Sequence, residues 1–214
     1  MSFKEFLKEL NGNRAEGELI KSIIYSLVTS FIILGILYFK LGNSFFSKSG
    51  YFIFFAVLSY AILIPTIRQV RVYREMPCMA GMMVGMTTGM IAGFLPGFYI
   101  ASTNGMFVGS LFGMTLGIFL GIWNGKCCGV MGVLEGMMAG FMGGLMGAMT
   151  AFMLLNDNLK IAAIVVFFIS AIIILGLNYM IYKEMKESAR QRREEQFWTI
   201  VLTFILTVVT VWFM

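Results

Sequence analysis

The chain of 214 residues is 59% hydrophobic and only 13% charged, and its mean hydropathy is +0.86. Soluble domains are typically about 45–50% apolar and about 25% charged, so the composition excludes a soluble globular protein and predicts an integral membrane protein. The net charge of +5 comes from short clusters of cations between apolar segments, which indicates membrane topology rather than nucleic-acid binding.

Residues 1–18 are predicted to form a cytoplasmic amphipathic segment. Phe3, Phe6, Leu7 and Leu10 lie on one side of a short helix, as in helices that lie flat on a membrane surface. No small-residue cleavage site follows the first apolar segment, so we do not expect a signal peptide that is removed.

Residues 19–214 are predicted to form a single all-α transmembrane domain of about seven helices. An apolar stretch of about 18 or more residues is long enough to cross a hydrocarbon core of about 30 Å. Such stretches, one of them short, occur near residues 20–39, 50–67, 78–99, 104–123, 130–154, 161–182 and 197–214. They leave no room for a separate soluble domain.

The distribution of lysine and arginine predicts that the N-terminus is inside. With seven spans, thirteen of the 16 cations fall on the same side of the membrane as the N-terminus. The other three are Lys40, Lys48 and Lys160. We therefore expect a multi-pass protein of a bacterial or archaeal cytoplasmic membrane, with its C-terminus outside.

The three middle spans, from Met76 to Met153, hold 18 of the 24 glycines and 15 of the 19 methionines. Glycine recurs at about every fourth position, for example at Gly85, Gly89 and Gly93. Glycine costs a soluble helix about 1 kcal/mol per site, but rows of small residues let helices in lipid approach closely. The pattern predicts a tightly packed glycine-zipper core of three helices, with the other four helices outside it.

The sulfur atoms of cysteine and methionine are the main candidate metal ligands of this chain, because histidine is absent. The absence removes the usual general base and the commonest metal ligand, so we expect neither an enzyme nor a histidine-based zinc site. Thiolate and thioether ligands favour Cu(I) and similar soft cations, which makes Cu(I) the expected ligand. At about 100° per residue, methionines of the fifth span form a stripe opposite its glycines, and a looser stripe follows the third span. The predicted methionine ligands are Met79, Met82, Met86, Met90, Met138, Met142 and Met146.

Two interpretations of these stripes remain open. If they face one another, they line a thioether path through the membrane. Methionine also fills irregular gaps around glycine-rich helices, so packing without any metal is the alternative.

The cysteines Cys78, Cys127 and Cys128 are predicted to meet at the cytoplasmic mouth of such a path. Cys78 begins the third span, and the other two lie in the connection between the fourth and fifth spans. Cytoplasmic thiols stay reduced, and nearby cations favour the thiolate that binds a soft metal.

Glu135 lies inside the fifth span, where a carboxylate is costly and by default marks a functional site or an ion pair. We expect it to balance the charge of a passing cation or to carry a proton in exchange. An interfacial glutamate paired with a nearby cation is the alternative.

The phrases MMVGMTTGM and EGMMAGFMGGLMGAM, at residues 82–90 and 135–149, carry a resemblance to a known group of proteins. They resemble the Met/Gly-rich spans of uncharacterised bacterial membrane proteins that occur beside copper-binding modules. The resemblance covers the middle spans only and implies a role in handling copper.

The leading hypothesis is a membrane protein that binds or transports a soft metal ion, Cu(I) first. A metal-donor or metal-acceptor protein is then the expected partner at the cytoplasmic face. One alternative is a non-transporting scaffold in the lipid bilayer that forms homo-oligomers through its glycine rows, and another is a channel for a different small solute. Metal binding predicts a loss on changing methionine to leucine, whereas the scaffold predicts tolerance of that change and sensitivity at the glycines.

Overall fold

A computed structural model describes residues 17–72, 77–185 and 196–214, which form six α-helices and one 3-10 turn without any strand among them. The helices are α1 (Gly17–Val72), α2 (Cys78–Asn104), α3 (Met106–Gly125), α4 (Gly129–Met153), α5 (Leu159–Met185) and α6 (Gln196–Phe213). The 3-10 turn, Lys126–Cys128, connects α3 to α4. The predicted amphipathic segment lies almost wholly outside the described residues.

Five helices in the described part of the chain are long and apolar enough to cross a membrane, as a multi-pass membrane protein requires. They are Gly50–Ile67 within α1, Cys78–Asn104, Met106–Gly125, Gly129–Met153 and Leu159–Glu184. The first and last predicted spans correspond to the shorter apolar helices Ser22–Ile36 and Ile200–Phe213. The all-helical membrane fold is confirmed, and the count of seven spans stays a prediction.

The helical run of α1 doubles back on itself. The ring centroids of Phe31 and Phe54 lie 6.3 Å apart, whereas a straight helix would hold residues so distant in sequence about 34 Å apart. Leu34 and Val57 also line the same small pocket. The run therefore consists of two arms that reverse between Leu34 and Phe54, which is why two predicted spans fall within one helical assignment.

The helix ends gather at two opposite ends of the bundle. At one end, the Tyr51 hydroxyl donates to the Lys160 carbonyl oxygen at 2.9 Å, and the Asn104 side-chain amide donates to the Phe213 carbonyl oxygen. At the other end, one hydrophobic cluster joins α1, α2 and α5 through Val70, Val84, Leu177 and Ile181. This second end, where α2 and α4 begin, is called the thiol end below. That it faces the cytoplasm stays a prediction.

The helices α2, α3 and α4 pack against one another more extensively than any other elements do. A Cβ atom on Gly89 would lie 2.9 Å from the Gly136 carbonyl oxygen and 3.1 Å from the Gly121 Cα. A Cβ atom on Gly93 would lie 2.8 Å from the Gly140 carbonyl oxygen. Because only glycine lacks a Cβ, only glycine allows the backbones to approach so closely at these positions. These contacts bring the backbones of the three helices together along the centre of the described bundle.

Two glycines with left-handed backbone conformations set the connections between these helices. Gly105, with φ of 95°, separates α2 from α3, and Gly129, with φ of 68°, begins α4. Residues with a side chain rarely adopt such angles, so both turns favour glycine. Pro96 lies inside α2, which continues to Asn104, because neighbouring helices in membrane proteins tolerate a proline that would break an isolated helix.

In the described part of the chain, the other helices lie outside the three-helix core, as the sequence predicts, but they do not cover all sides of it. The helices α5 and α6 pack mainly against α1. Within the described residues, α4 packs against α2 and α3 and has no comparable contact with α1, α5 or α6. The helix α4 therefore lies at the edge of the bundle, because its glycines occupy one sector only and its long side chains fill the other.

Candidate functional site

The helices α2 and α4 run in the same direction and stay in step along their contact. Gly89 of α2 faces Gly136 of α4, and Gly93 faces Gly140. One turn after Gly140 on α4, a Cβ atom on Gly143 would lie 3.0 Å from the Met90 Cα of α2. The helix α3 packs on one side of this pair, so side chains that point away from α3 share one outer surface.

The predicted methionine ligands of α4 lie on its uncovered face. Met138, Met142 and Met146 are 62%, 54% and 55% exposed, whereas Gly140 and Gly143 are buried. The prediction that the methionines and the glycines of this helix occupy opposite sectors is confirmed.

The methionines of α2 reach the same outer surface. Met79, Met86 and Met90 are exposed, and Met82 is half-buried. Met90 emerges beside α4 because its backbone contacts Gly143. The two stripes therefore lie side by side on the outside of the bundle rather than facing one another across an internal path, because glycine contacts close the interior. This surface, called the sulfur face, consists of Met79, Met82, Met86, Met90, Met138, Met142 and Met146.

Glu135 belongs to the sulfur face and not to the glycine core. Its side chain is half-buried, and it lies about 9 Å along the axis from Gly129, the first residue of α4. Because Gly89 faces Gly136, Glu135 lies at the level of the neighbouring turn of α2, which carries Met86. The sulfur face thus combines thioethers with one carboxylate near the thiol end.

Two of the three cysteines come together at the thiol end. The Cys128 Sγ donates a hydrogen bond of 2.9 Å to the Cys78 carbonyl oxygen. Cys78 is the first residue of α2 and is exposed, and Cys128 is the half-buried residue just before α4. The side chain of Cys127 lies outside the described residues, so its predicted part in the mouth stays a prediction.

The described carboxylates and thiols do not gather into a cluster of three or more metal ligands. Among the residues that the structure describes, no group of three or more cysteine, aspartate or glutamate side chains lies close enough to hold a metal ion. Thioether sulfur would therefore have to supply most of the ligands away from the thiol end. The sulfur face offers seven such groups in two adjacent stripes.

One buried polar contact was not expected from the sequence. Asn124, near the end of α3, is buried and donates a hydrogen bond of 3.1 Å to the Thr88 Oγ1. The contact joins α2 to α3 beneath the thiol end. A single amide at the end of an otherwise apolar span is the signal that could have indicated it, because polar groups in membrane helices bind neighbouring helices.

No protein-family model, no curated protein and no solved structure matches this chain. The resemblance to copper-associated membrane proteins thus stays a prediction from two short phrases. The functional conclusion depends on the geometry of the sulfur face and the thiol end.

Proposed function

We propose that this membrane protein binds Cu(I) along its sulfur face and carries it between the thiol end and the interior of the membrane. The observation that carries the proposal is the side-by-side position of two methionine stripes on parallel helices, with Glu135 among them. The role in copper handling and the absence of enzyme activity are parts of the same proposal.

The chemistry of the sulfur face suits a soft monovalent cation. Thioether sulfur is uncharged and binds Cu(I) well, whereas hard cations such as Mg²⁺ and Ca²⁺ take oxygen ligands. A charge inside a membrane span is costly unless it is paired. One Cu(I) beside the Glu135 carboxylate gives a neutral pair, which lowers that cost for both partners.

The position of the methionines weighs against a role in packing alone. A gap-filling methionine is expected where helices leave irregular spaces between them. Met138, Met142 and Met146 instead lie on the face of α4 that no other helix in the described part of the chain covers. Packing within the chain therefore gives no reason for methionine at these positions.

The two alternative functions find less support in the geometry. A scaffold that oligomerises through glycine rows needs glycines on its surface, but the rows of α2, α3 and α4 contact one another within a single chain. A channel needs an open interior, and backbone contacts close the centre of these three helices.

Anaerobic titration of the detergent-purified protein with Cu(I) tests the proposal. The unmodified protein is compared with a variant in which Met138, Met142 and Met146 are changed to leucine. Leucine has a similar volume, so each change should cost less than about 1.5 kcal/mol of folding stability. The control changes three methionines outside the sulfur face to leucine, namely Met106, Met114 and Met137.

We expect stoichiometric binding by the unmodified protein and the control, and reduced stoichiometry in the sulfur-face variant. No binding by the unmodified protein, or equal losses in both triple variants, would overturn the proposal.

We also propose seven spans with the N-terminus and the thiol end in the cytoplasm, since most cations lie at that side. Cys78 is exposed at the thiol end, so a membrane-impermeant maleimide can report its side. In a background where the other two cysteines are serine, Cys78 should react in inverted vesicles and stay unlabelled in intact cells. The opposite pattern would place the thiol end outside.

A further inference from the structure

The thiol end holds the start of both sulfur stripes. Cys78 is followed one turn later by Met82 on α2, and Cys128 is followed by Met131 on α4. Residues three or four positions apart lie on the same side of a helix. Cys78 and Met82 therefore share one side of α2. At the start of the parallel helix α4, the thiol of Cys128 directly precedes the helix and Met131 lies in its first turn.

The local electrostatics of this end favour anionic ligands. The first turn of a helix leaves backbone N–H groups without partners inside the helix, and the helix dipole is positive there. The starts of α2 and α4 meet at the thiol end, as the contact between Cys128 Sγ and the Cys78 carbonyl oxygen shows. The exposed side chain of Lys126 adds a positive charge to the same turn.

We propose that Cys78 and Cys128 together bind one Cu(I) ion through two thiolates. On binding, each thiol releases its proton to water, and the resulting complex carries one net negative charge. The starts of α2 and α4, together with Lys126, stabilise that negative charge. A site built from thioethers alone would carry no negative charge and would not need this stabilisation. Met82 and Met131, one turn further along, provide the next sulfur ligands for transfer to the sulfur face. The inference rests on the proposed function and adds the place where the cation is loaded or released.

The test uses the full chain with Cys127 changed to serine, which leaves two thiols because the chain has three cysteines. Cys78→Ser and Cys128→Ser are then added one at a time. Cu(I) is titrated anaerobically against a chromophoric chelator, and the near-ultraviolet absorption of thiolate-bound copper is recorded.

We expect the two-thiol protein to keep one tight equivalent with thiolate absorption, and each added serine to remove it. Binding by the sulfur face should persist in both single-thiol proteins. A tight equivalent that survives either added substitution, or one that disappears already with Cys127→Ser, would overturn the inference. These outcomes differ from failure of the proposed function, in which the unmodified protein binds no Cu(I) at all.

A second measurement tests the thiol pair without copper. Phenylarsine oxide bridges two neighbouring thiols, so the folded two-thiol protein should form an adduct with one arsenical per chain by intact mass. The single-thiol proteins should form no stable adduct and so serve as controls. Absence of the adduct from a two-thiol protein that elutes as a folded species would overturn the inference.

Discussion

The helices α4 and α5 both lie at the edge of the bundle, yet their uncovered faces differ in chemistry. Between Ile161 and Leu175, the exposed side chains of α5 are all aliphatic or aromatic, and include Val165, Phe168 and Ile172. The corresponding face of α4 exposes methionine and contains a carboxylate. The mean hydropathy of the two spans is 2.7 for α5 and 1.3 for α4.

The difference shows what contact with lipid alone requires. Isoleucine, leucine, valine and phenylalanine insert favourably at the centre of a membrane helix, whereas an acidic residue costs about 2.5–3.5 kcal/mol there. The face of α5 meets that requirement fully. The face of α4 is less suited to lipid, and its sulfur and carboxylate groups are suited to a cation.

The glycines of the two helices differ as well, since Gly140 is buried and Gly176 is exposed, and this gives the largest expected effect. A Cβ atom on Gly140 of α4 would overlap the carbonyl group of Gly117, whereas nothing lies within 4 Å of a Cβ atom on Gly176 of α5. Gly140→Ala should destabilise the protein by about 3 kcal/mol or more, because two backbones must separate. Gly176→Ala should be neutral or stabilising by up to about 1 kcal/mol.

Unfolding of the two variants in increasing concentrations of sodium dodecyl sulfate measures this contrast. Equal stability of the two variants would contradict the close packing of α3 against α4.

Part of this arrangement was predictable from the sequence and part was not. The spacing of residues on α4 places Met142 and Gly140 in different sectors of the helix, which the structure confirms. Spacing does not tell which sector meets a neighbour, however. Whether the two methionine stripes face one another stayed open, because the sequence does not give the crossing of α2 and α4, where Gly143 contacts the Met90 backbone.

The contact between Cys78 and Cys128 was within reach of sequence reasoning, because the predicted topology puts the starts of their two helices at the same end of the bundle. For α1, the sequence indicates two separate apolar stretches but does not show that the helical run reverses between them. The lone amide of Asn124 indicates a polar contact with a neighbouring helix, but the sequence does not identify Thr88 as its partner, because that pairing depends on how α2 and α3 are rotated.

The second prediction tests Glu135, the carboxylate on the methionine-bearing face of α4. Glu135→Gln keeps the shape of the side chain but removes the charge that offsets a bound cation. We expect at least an approximately tenfold loss of Cu(I) affinity, equivalent to about 1.4 kcal/mol. Glu184→Gln, at an exposed position near the end of α5, is the matched control and should bind like the unmodified protein. Equal affinities of both variants would show that Glu135 does not take part.

The smallest expected effect is on folding stability, through the hydrogen bond that joins α2 to α3, the two helices against which α4 packs. The Thr88 Oγ1 accepts the hydrogen bond from buried Asn124, whereas the neighbouring Thr87 Oγ1 donates only to its own helix, at Met83 and Val84. Thr88→Val should lower stability by about 0.6 kcal/mol and at most about 1.7 kcal/mol, as for other hydrogen bonds between membrane helices. Thr87→Val, measured by the same detergent unfolding, should have little effect. The reverse order would contradict the proposed contact between α2 and α3.

The central claim is that the sulfur face of α2 and α4 holds a soft cation, and X-ray absorption at the copper K edge tests it most directly. The protein is loaded anaerobically with Cu(I), alongside the variant with Met138, Met142 and Met146 changed to leucine. We expect a first coordination shell of sulfur in the unmodified protein and a loss of bound copper in the variant. A shell of nitrogen or oxygen alone, or an unchanged sulfur shell and copper content in the variant, would contradict the account.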